Sequence, residues 1–204
     1  MTIEASIPTA EILVRQCLDG DRSAYRLLYD RYSNAMFSTA LRIVNQAADA
    51  EDILQESFTD AFMQLERFEN KSTFGAWLKQ IVVFKSVSFL KKRKMSFMDM
   101  ELVVDLPEEN ELDETDTVYT IDMVKQTIQV LPDGYRTVLN LYLFEGYGHD
   151  EIAEMLGVAQ STARTQYIRA KQKFLQLFKK REKIRSKRSS GDAGAGQSAG
   201  SRQL

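Results

Sequence analysis

This 204-residue chain has one cysteine, Cys17, and one histidine, His149. An internal disulfide is therefore impossible, and a zinc site built from Cys and His lacks the ligands it needs. No apolar run is long enough to cross a bilayer. The opening MTIEASIPTAEIL has neither the basic start nor the apolar stretch of a secretory signal, so a cytoplasmic protein is expected. A glycine-rich phosphate loop ending in Lys-Ser or Lys-Thr is missing, and no Ser or Cys stands at a motif spacing from His149. Carboxylates are scattered along the chain, but nothing organises them into a site. The expectation is a non-enzymatic protein with no catalytic residue, metal ion, cofactor or small-molecule substrate.

What the chain does have is charge, unevenly placed. The net charge of −2 conceals an acidic strip over residues 99–122 with ten carboxylates and no Lys or Arg. From Met123 onward there are 14 Lys and Arg against seven Asp and Glu, while residues 1–98 hold 13 against 12. Lys91, Lys92, Arg93 and Lys94 close that first part with a run of cations. Two segments with basic ends flank an acidic strip, so local sign is a better guide to partners than overall charge.

The stretch Gly148 to Phe174, GHDEIAEMLGVAQSTARTQYIRAKQKF, reads as a helix-turn-helix. Ile152, Ala153 and Leu156 give a short helix its apolar face, and Gly157 supplies the left-handed residue of the turn. Ala163, Tyr167, Ala170 and Phe174 recur at the steps of a second helix. Its other side carries Gln160, Ser161, Thr162, Arg164, Thr165 and Arg169, with Lys171 and Lys173 beyond. Such a face donates hydrogen bonds to base edges while its cations meet phosphates. A helical hairpin with a solvated basic side is the plain alternative.

The remaining chain also reads as helix, giving an all-α fold. A first helix opens at Thr9 or Pro8, carries Ile12, Leu13 and Cys17, and ends at Gly20. Asp21 caps a second with the stripe Tyr25, Leu28, Tyr32, Met36, Ala40 and Val44. Asp49 is expected to cap a third, whose face is Leu54, Phe58, Ala61, Phe62 and Leu65. A fourth follows a turn, with Phe74, Trp77, Leu78, Ile81 and Phe84 facing inward; its β-branched Val82, Val83 and Val87 lower helix propensity. Residues 95–117 lose periodicity. Ile121, Val124, Ile128 and Leu131 resume it, Pro132 interrupts it, and Val138, Leu141 and Tyr142 lead into the helix-turn-helix. The expected organisation is a helical domain over 1–97, a flexible acidic linker over 98–117, and a second small helical domain over 118–180. A tail, basic and then rich in Gly, Ala and Ser, is expected to be disordered over 181–204.

Two further patterns suggest surfaces. The third helix shows Asp52, Gln55, Glu56, Thr59 and Asp60 away from its core stripe: either a solvated face or a dock for a partner's basic helix. The fourth has Phe74 and Trp77 near its start, beside Lys71, Ser72 and Lys79, and ends in Lys91 to Lys94. Aromatics interleaved with cations suit single-stranded nucleic acid, because bases stack on rings while ammonium groups hold the backbone. The +3 and +4 spacing of Trp77, Ile81 and Phe84 also fits a core stripe.

In this order, the parts resemble bacterial RNA polymerase sigma factors of the extracytoplasmic function (ECF) type. The matching stretches are DAEDILQESFTDAF at Asp49 to Phe62, FGAWLKQI at Phe74 to Ile81 with FLKKRK after it, LPDGYRTVLNLYLFEGYGHDEIAEMLGV at Leu131 to Val158, and TARTQYIRAKQKF at Thr162 to Phe174. The likeness covers roughly residues 20–178.

The resemblance implies a docking role on the coiled coil of the polymerase's beta prime subunit for Asp49, Asp52, Gln55 and Glu56. It implies that the segment carrying Lys71, Ser72, Phe74, Trp77, Lys91, Lys92 and Arg93 reads and opens the promoter's −10 element. There an unstacked base of the non-template strand is captured, and unstacking costs a few kcal/mol per step. It implies that the helix from Gln160 enters the major groove at the −35 element, with Ser161, Thr162, Arg164 and Thr165 at bases and Arg169 and Lys171 on phosphate. The implied partners are core RNA polymerase, promoter DNA and an anti-sigma factor. The acidic linker is expected to thread toward the polymerase active centre and RNA exit path. The chain departs from the family at three places. Phe84 and Ser88 stand where Asn and Asp are usual, Gly148 and Ala159 where Ser is frequent, and Gln166 where a basic residue is common. A LuxR-type helix-turn-helix regulator would leave the Asp52, Gln55, Glu56 face and the cationic run unexplained. An adaptor that only sequesters a partner would bind no specific DNA.

Overall fold

The computed structural model describes residues 8–93 and 121–192, with side chains as far as residue 185. Lys94, the acidic linker expected over 98–117 and the Gly/Ala/Ser-rich end lie outside the described residues. Those described are helical. The first group comprises α1 (Ala10–Leu18), α2 (Arg22–Val44), α3 (Ala47–Met63), a 3-10 turn (Leu65–Arg67) and α4 (Phe74–Lys92); the second comprises α5 (Ile121–Gln129), α6 (Asp133–Leu143), α7 (His149–Leu156) and α8 (Gln160–Asp192).

Local chemistry sets the helix starts. Thr9 Oγ1 accepts from the Ile12 N–H at 3.4 Å, Asp21 from the Ser23 N–H at 2.8 Å, and Thr73 from the Ala76 N–H at 3.2 Å. Asp49 does not cap α3, contrary to expectation. That helix begins three residues earlier, with Gln46 at the cap position and no side-chain bond there. Asp49 lies in the first turn, still favourable to the helix dipole, and its carboxylate is used elsewhere.

Helix α2 is the spine of the first group, packed against α1, α3 and α4. Leu28, Met36, Ala40 and Ile43 from it meet Ile53, Leu54 and Phe58 of α3 and Leu78, Val83 and Leu90 of α4. The face of α4 differs from the sequence expectation. Phe74, Leu78, Val82, Val83, Val87 and Leu90 are buried, Trp77 and Ile81 are partly buried, and Phe84 is 52% exposed. Apolar residues surround this helix, so periodicity alone could not choose its inner side; the valines that weaken its propensity are the ones packed. Gly75 permits a close approach, since a Cβ there would sit 2.7 Å from Cε1 of Tyr32.

Cys17 is 1% exposed, and burial, followed by the nearby Asp21 charge, pushes its thiol up to about 11. The folded chain is therefore expected to leave a thiol-exchange reagent unreacted at pH 8, whereas guanidinium should release one equivalent per chain. Rapid reaction of the native protein would contradict this packing.

In the second group, Ile128, Leu131, Tyr135 and Leu139 close around Ala170, with Val124, Phe174 and Leu177 at the edge. The two groups touch, which the sequence did not suggest. Helix α6 lies against α2 and α7 against α4, and Val138, Leu141, Ile152 and Leu156 are continuous with the first core. Helix α8 also runs on to Asp192, past residue 180, the expected end of the second domain. Arg, Lys and Glu are good helix formers, and Arg181 Nη1 donates to Gln126 Oε1 at 3.3 Å, tying the extension to α5.

Candidate polymerase and nucleic-acid interfaces

The acidic strip of α3 faces outward, but its residues are not equivalent. Asp52, Gln55 and Glu56 are exposed. Glu56 shares Lys85 of α4 with Asp60, at 3.3 and 2.7 Å, and Asp49 pairs with Arg93 at 2.7 Å. Burial pulls the Lys85 ammonium down, but hydrogen bonds to Asp60 and Glu56 outweigh it and leave the group raised. Asp52 joins none of these pairs. Arg93, expected on DNA, thus holds Asp49, expected on the polymerase: the two surfaces meet where α3 begins and α4 ends.

At the start of α4, Lys71 pairs with Glu69, and Ser72 is exposed. Phe74 is 0% exposed and must be corrected from DNA contact to packing group. Its ring lies 5.4 Å from Tyr32, 5.9 Å from Phe68 and 5.9 Å from Trp77. Trp77, partly buried, also packs 5.2 Å from Phe68. Lys91 and Lys92 are exposed, and the Arg93 guanidinium lies over the Phe89 ring at 5.6 Å.

The helix-turn-helix forms where the sequence placed it. Gly157 ends α7 with φ of 72°, and its N–H donates to Ala153 O at 2.9 Å. Gly148 has no side chain to offer the first turn of α7, but its N–H donates to Glu151 Oε2 at 2.7 Å, half of a capping box. Gln160, Ser161, Arg164, Thr165 and Lys171 are exposed, whereas Thr162 and Arg169 are partly covered. The Thr165 hydroxyl donates to Ser161 O at 2.8 Å, which leaves its oxygen to accept. Gln166 is buried, so this departure removes nothing from the outer face. Beneath it, His149 stacks on Tyr142 at 4.7 Å, and Tyr167 meets Tyr142 at 4.4 Å, binding α6, α7 and α8 together.

Sequence reasoning missed the contacts between the two groups. The Glu145 carboxylate, 1% exposed, takes Arg42 of α2 at 2.6 Å and Lys79 of α4 at 3.5 Å. Asn140 Nδ2 donates to Arg42 O at 2.6 Å, and Asn45 Nδ2 to Gln129 O at 3.1 Å. A lone carboxylate within LYLFEGYG was the available signal, since buried charge requires a partner. Lys85 was also missed; one cation among the valines of α4 marked it.

Residues 28–95 match the family described as Sigma-70 region 2, and residues 121–174 the one described as Sigma-70, region 4. The chain is 30% identical over 176 residues to RNA polymerase sigma-H factor of Pseudomonas aeruginosa, covering 78% of this chain and 89% of that protein. It is 27% identical over 177 residues to ECF RNA polymerase sigma factor SigW of Bacillus subtilis, covering 78% and 91%. Among solved structures, it is similar to the sigma factor RpoE crystallised with the anti-sigma factor NepR from Bartonella quintana, at 21% identity, 76% and 96% coverage and a TM-score of 0.48. A LuxR-type regulator would leave the region 2 match without a place, and that alternative falls. The family consists of initiation factors rather than enzymes, and among the described residues no helix is long and apolar enough to cross a membrane. The chain belongs to the RNA polymerase sigma factors of the extracytoplasmic function type, and its function is to direct transcription initiation.

Proposed function

We propose that this sigma factor docks on the beta prime coiled coil of core polymerase through α3, with Asp52 and Gln55 as the principal contacts. Asp49 and Glu56 shape that face while holding Arg93 and Lys85. Lys71, Ser72, the exposed edge of Trp77, Lys91 and Lys92 serve the −10 element, with Arg93 beside them. Gln160, Ser161, Thr162, Arg164 and Thr165 serve the −35 element, with Arg169 and Lys171 on phosphate. The factor works in the cytoplasm, supplies no catalytic chemistry of its own, and is held in reserve by an anti-sigma factor.

The observation that carries this reading is the outer face of α8. Directly after the Gly157 turn it presents Gln160, Ser161, Arg164 and Thr165 together, while Ala163, Gln166 and Ala170 face inward. The side chains that hydrogen-bond to base edges thus share one surface at the end of the helix nearest the turn, as groove reading requires. The test adds the purified chain to core polymerase on genomic promoter fragments and maps transcript starts. Starts that depend on the chain support the reading; their absence refutes it. On a responsive promoter, Arg164→Ala is expected to change preference at one −35 position, removing about 1–3 kcal/mol of discrimination. Lys171→Ala should weaken all sites alike and flatten the salt dependence. Identical losses from both variants on every sequence would overturn the division of roles.

A further inference from the structure

Of the rings expected to stack on an unpaired base, Phe74 is enclosed, and Trp77 is partly buried against Phe68 and Phe74. The same helix offers another. Phe84, at 52% exposure, is the exposed aromatic of α4, with buried Val87 and partly buried Ile81 beside it toward the core. Trp77, Phe84 and Lys91 are seven residues apart, so they form one line that drifts only about 20° per step and advances about 10 Å each time. Gln80 and Ser88, both exposed, flank Phe84 one turn before and after.

The charge of α4 identifies what this line faces. Its 19 residues include four lysines and no carboxylate. Lys85, next to Phe84, is engaged by Glu56 and Asp60, and Lys79 by Glu145. Lys91 and Lys92 remain exposed beyond the ring. An aromatic face with polar neighbours on each side and cations beyond it is the arrangement that holds a base by stacking and its backbone by charge.

We propose that Phe84 is the stacking platform for one unpaired base of the non-template strand, with Lys91 on the adjoining phosphate and Gln80 and Ser88 at the base edge. The assignment rests on the sigma reading above and adds a residue to it. The step is non-covalent: a base leaves its neighbours in the duplex and gains the ring as a new one. Because every base has a π-face, stacking supplies the hold and the edge contacts supply the preference.

The test uses holoenzyme reconstituted from core polymerase and the full-length chain, with a single-stranded non-template oligonucleotide spanning a mapped −10 element. Phe84→Ala should assemble with core like the unaltered chain yet bind the oligonucleotide about tenfold or more weakly. Phe84→Tyr should retain binding. An abasic residue moved through the element should weaken the unaltered holoenzyme at one position and leave Phe84→Ala indifferent there. Equal sensitivity of both proteins at every position would overturn the assignment. So would a loss of core assembly in Phe84→Ala, since the ring would then be a protein contact. If the unaltered chain directs no transcript starts, the sigma reading fails; if it directs them and Phe84→Ala binds normally, only the role of Phe84 fails.

Discussion

Asp52→Lys is expected to abolish co-migration with core polymerase, weakening association by about 100-fold or more while helical content stays unchanged. Like charges brought together across an interface cost several kcal/mol, and Lys is as good a helix former as Asp or better. Asp52 is the suitable position because it is exposed and outside the ion pairs that join α3 to α4. Glu56→Lys would also disturb Lys85, and Asp49→Lys would release Arg93, so each would mix a docking loss with a packing loss. Circular dichroism checks the fold, and sedimentation with core polymerase over a salt series checks the association. Undiminished assembly of Asp52→Lys would remove α3 from the docking surface.

Phe74→Ala should cost about 3–5 kcal/mol of folding stability, as removal of a fully buried aromatic does. Phe74 lies among Tyr32, Phe68 and Trp77 at the junction of α2 and α4, and its ring is the largest of the fully buried side chains. Denaturant unfolding followed by Trp77 fluorescence measures the loss directly, because the two rings are in contact. A change below about 1 kcal/mol accompanied by a specific −10 defect would instead return Phe74 to the DNA surface. Comparison with Phe84→Ala is instructive. Two phenylalanines ten residues apart on one helix are expected to fail differently, one in stability and one in promoter handling.

The all-helical fold and the helix-turn-helix were legible from the sequence because their signals are local. Gly157 in a left-handed turn, Asp21 and Thr9 at helix starts, and the Leu54, Phe58, Ala61 repeat depend on a few neighbouring residues. The inner face of α4 was not legible, because apolar residues encircle it and only α2 and α3 decide which valines are covered. The outward placement of Asp52, Gln55, Arg164 and Thr165 could be read from the apolar residues opposite them. Pairings such as Asp49 with Arg93 or Glu145 with Arg42 and Lys79 could not. They join residues 44 to 103 positions apart, and no spacing rule reaches that far.

The seam around Glu145 constrains how the molecule meets a promoter. A duplex rises about 3.4 Å per base pair, so elements about 25 pairs apart stand some 85 Å from each other, roughly twice the breadth of a folded chain of this length. If the two groups read the −10 and −35 elements as proposed, their footprint is too short for any such site while Arg42 and Lys79 clasp that carboxylate. On that reading, reaching both ends means returning the glutamate to water, with the polymerase as the ruler that sets the groups apart.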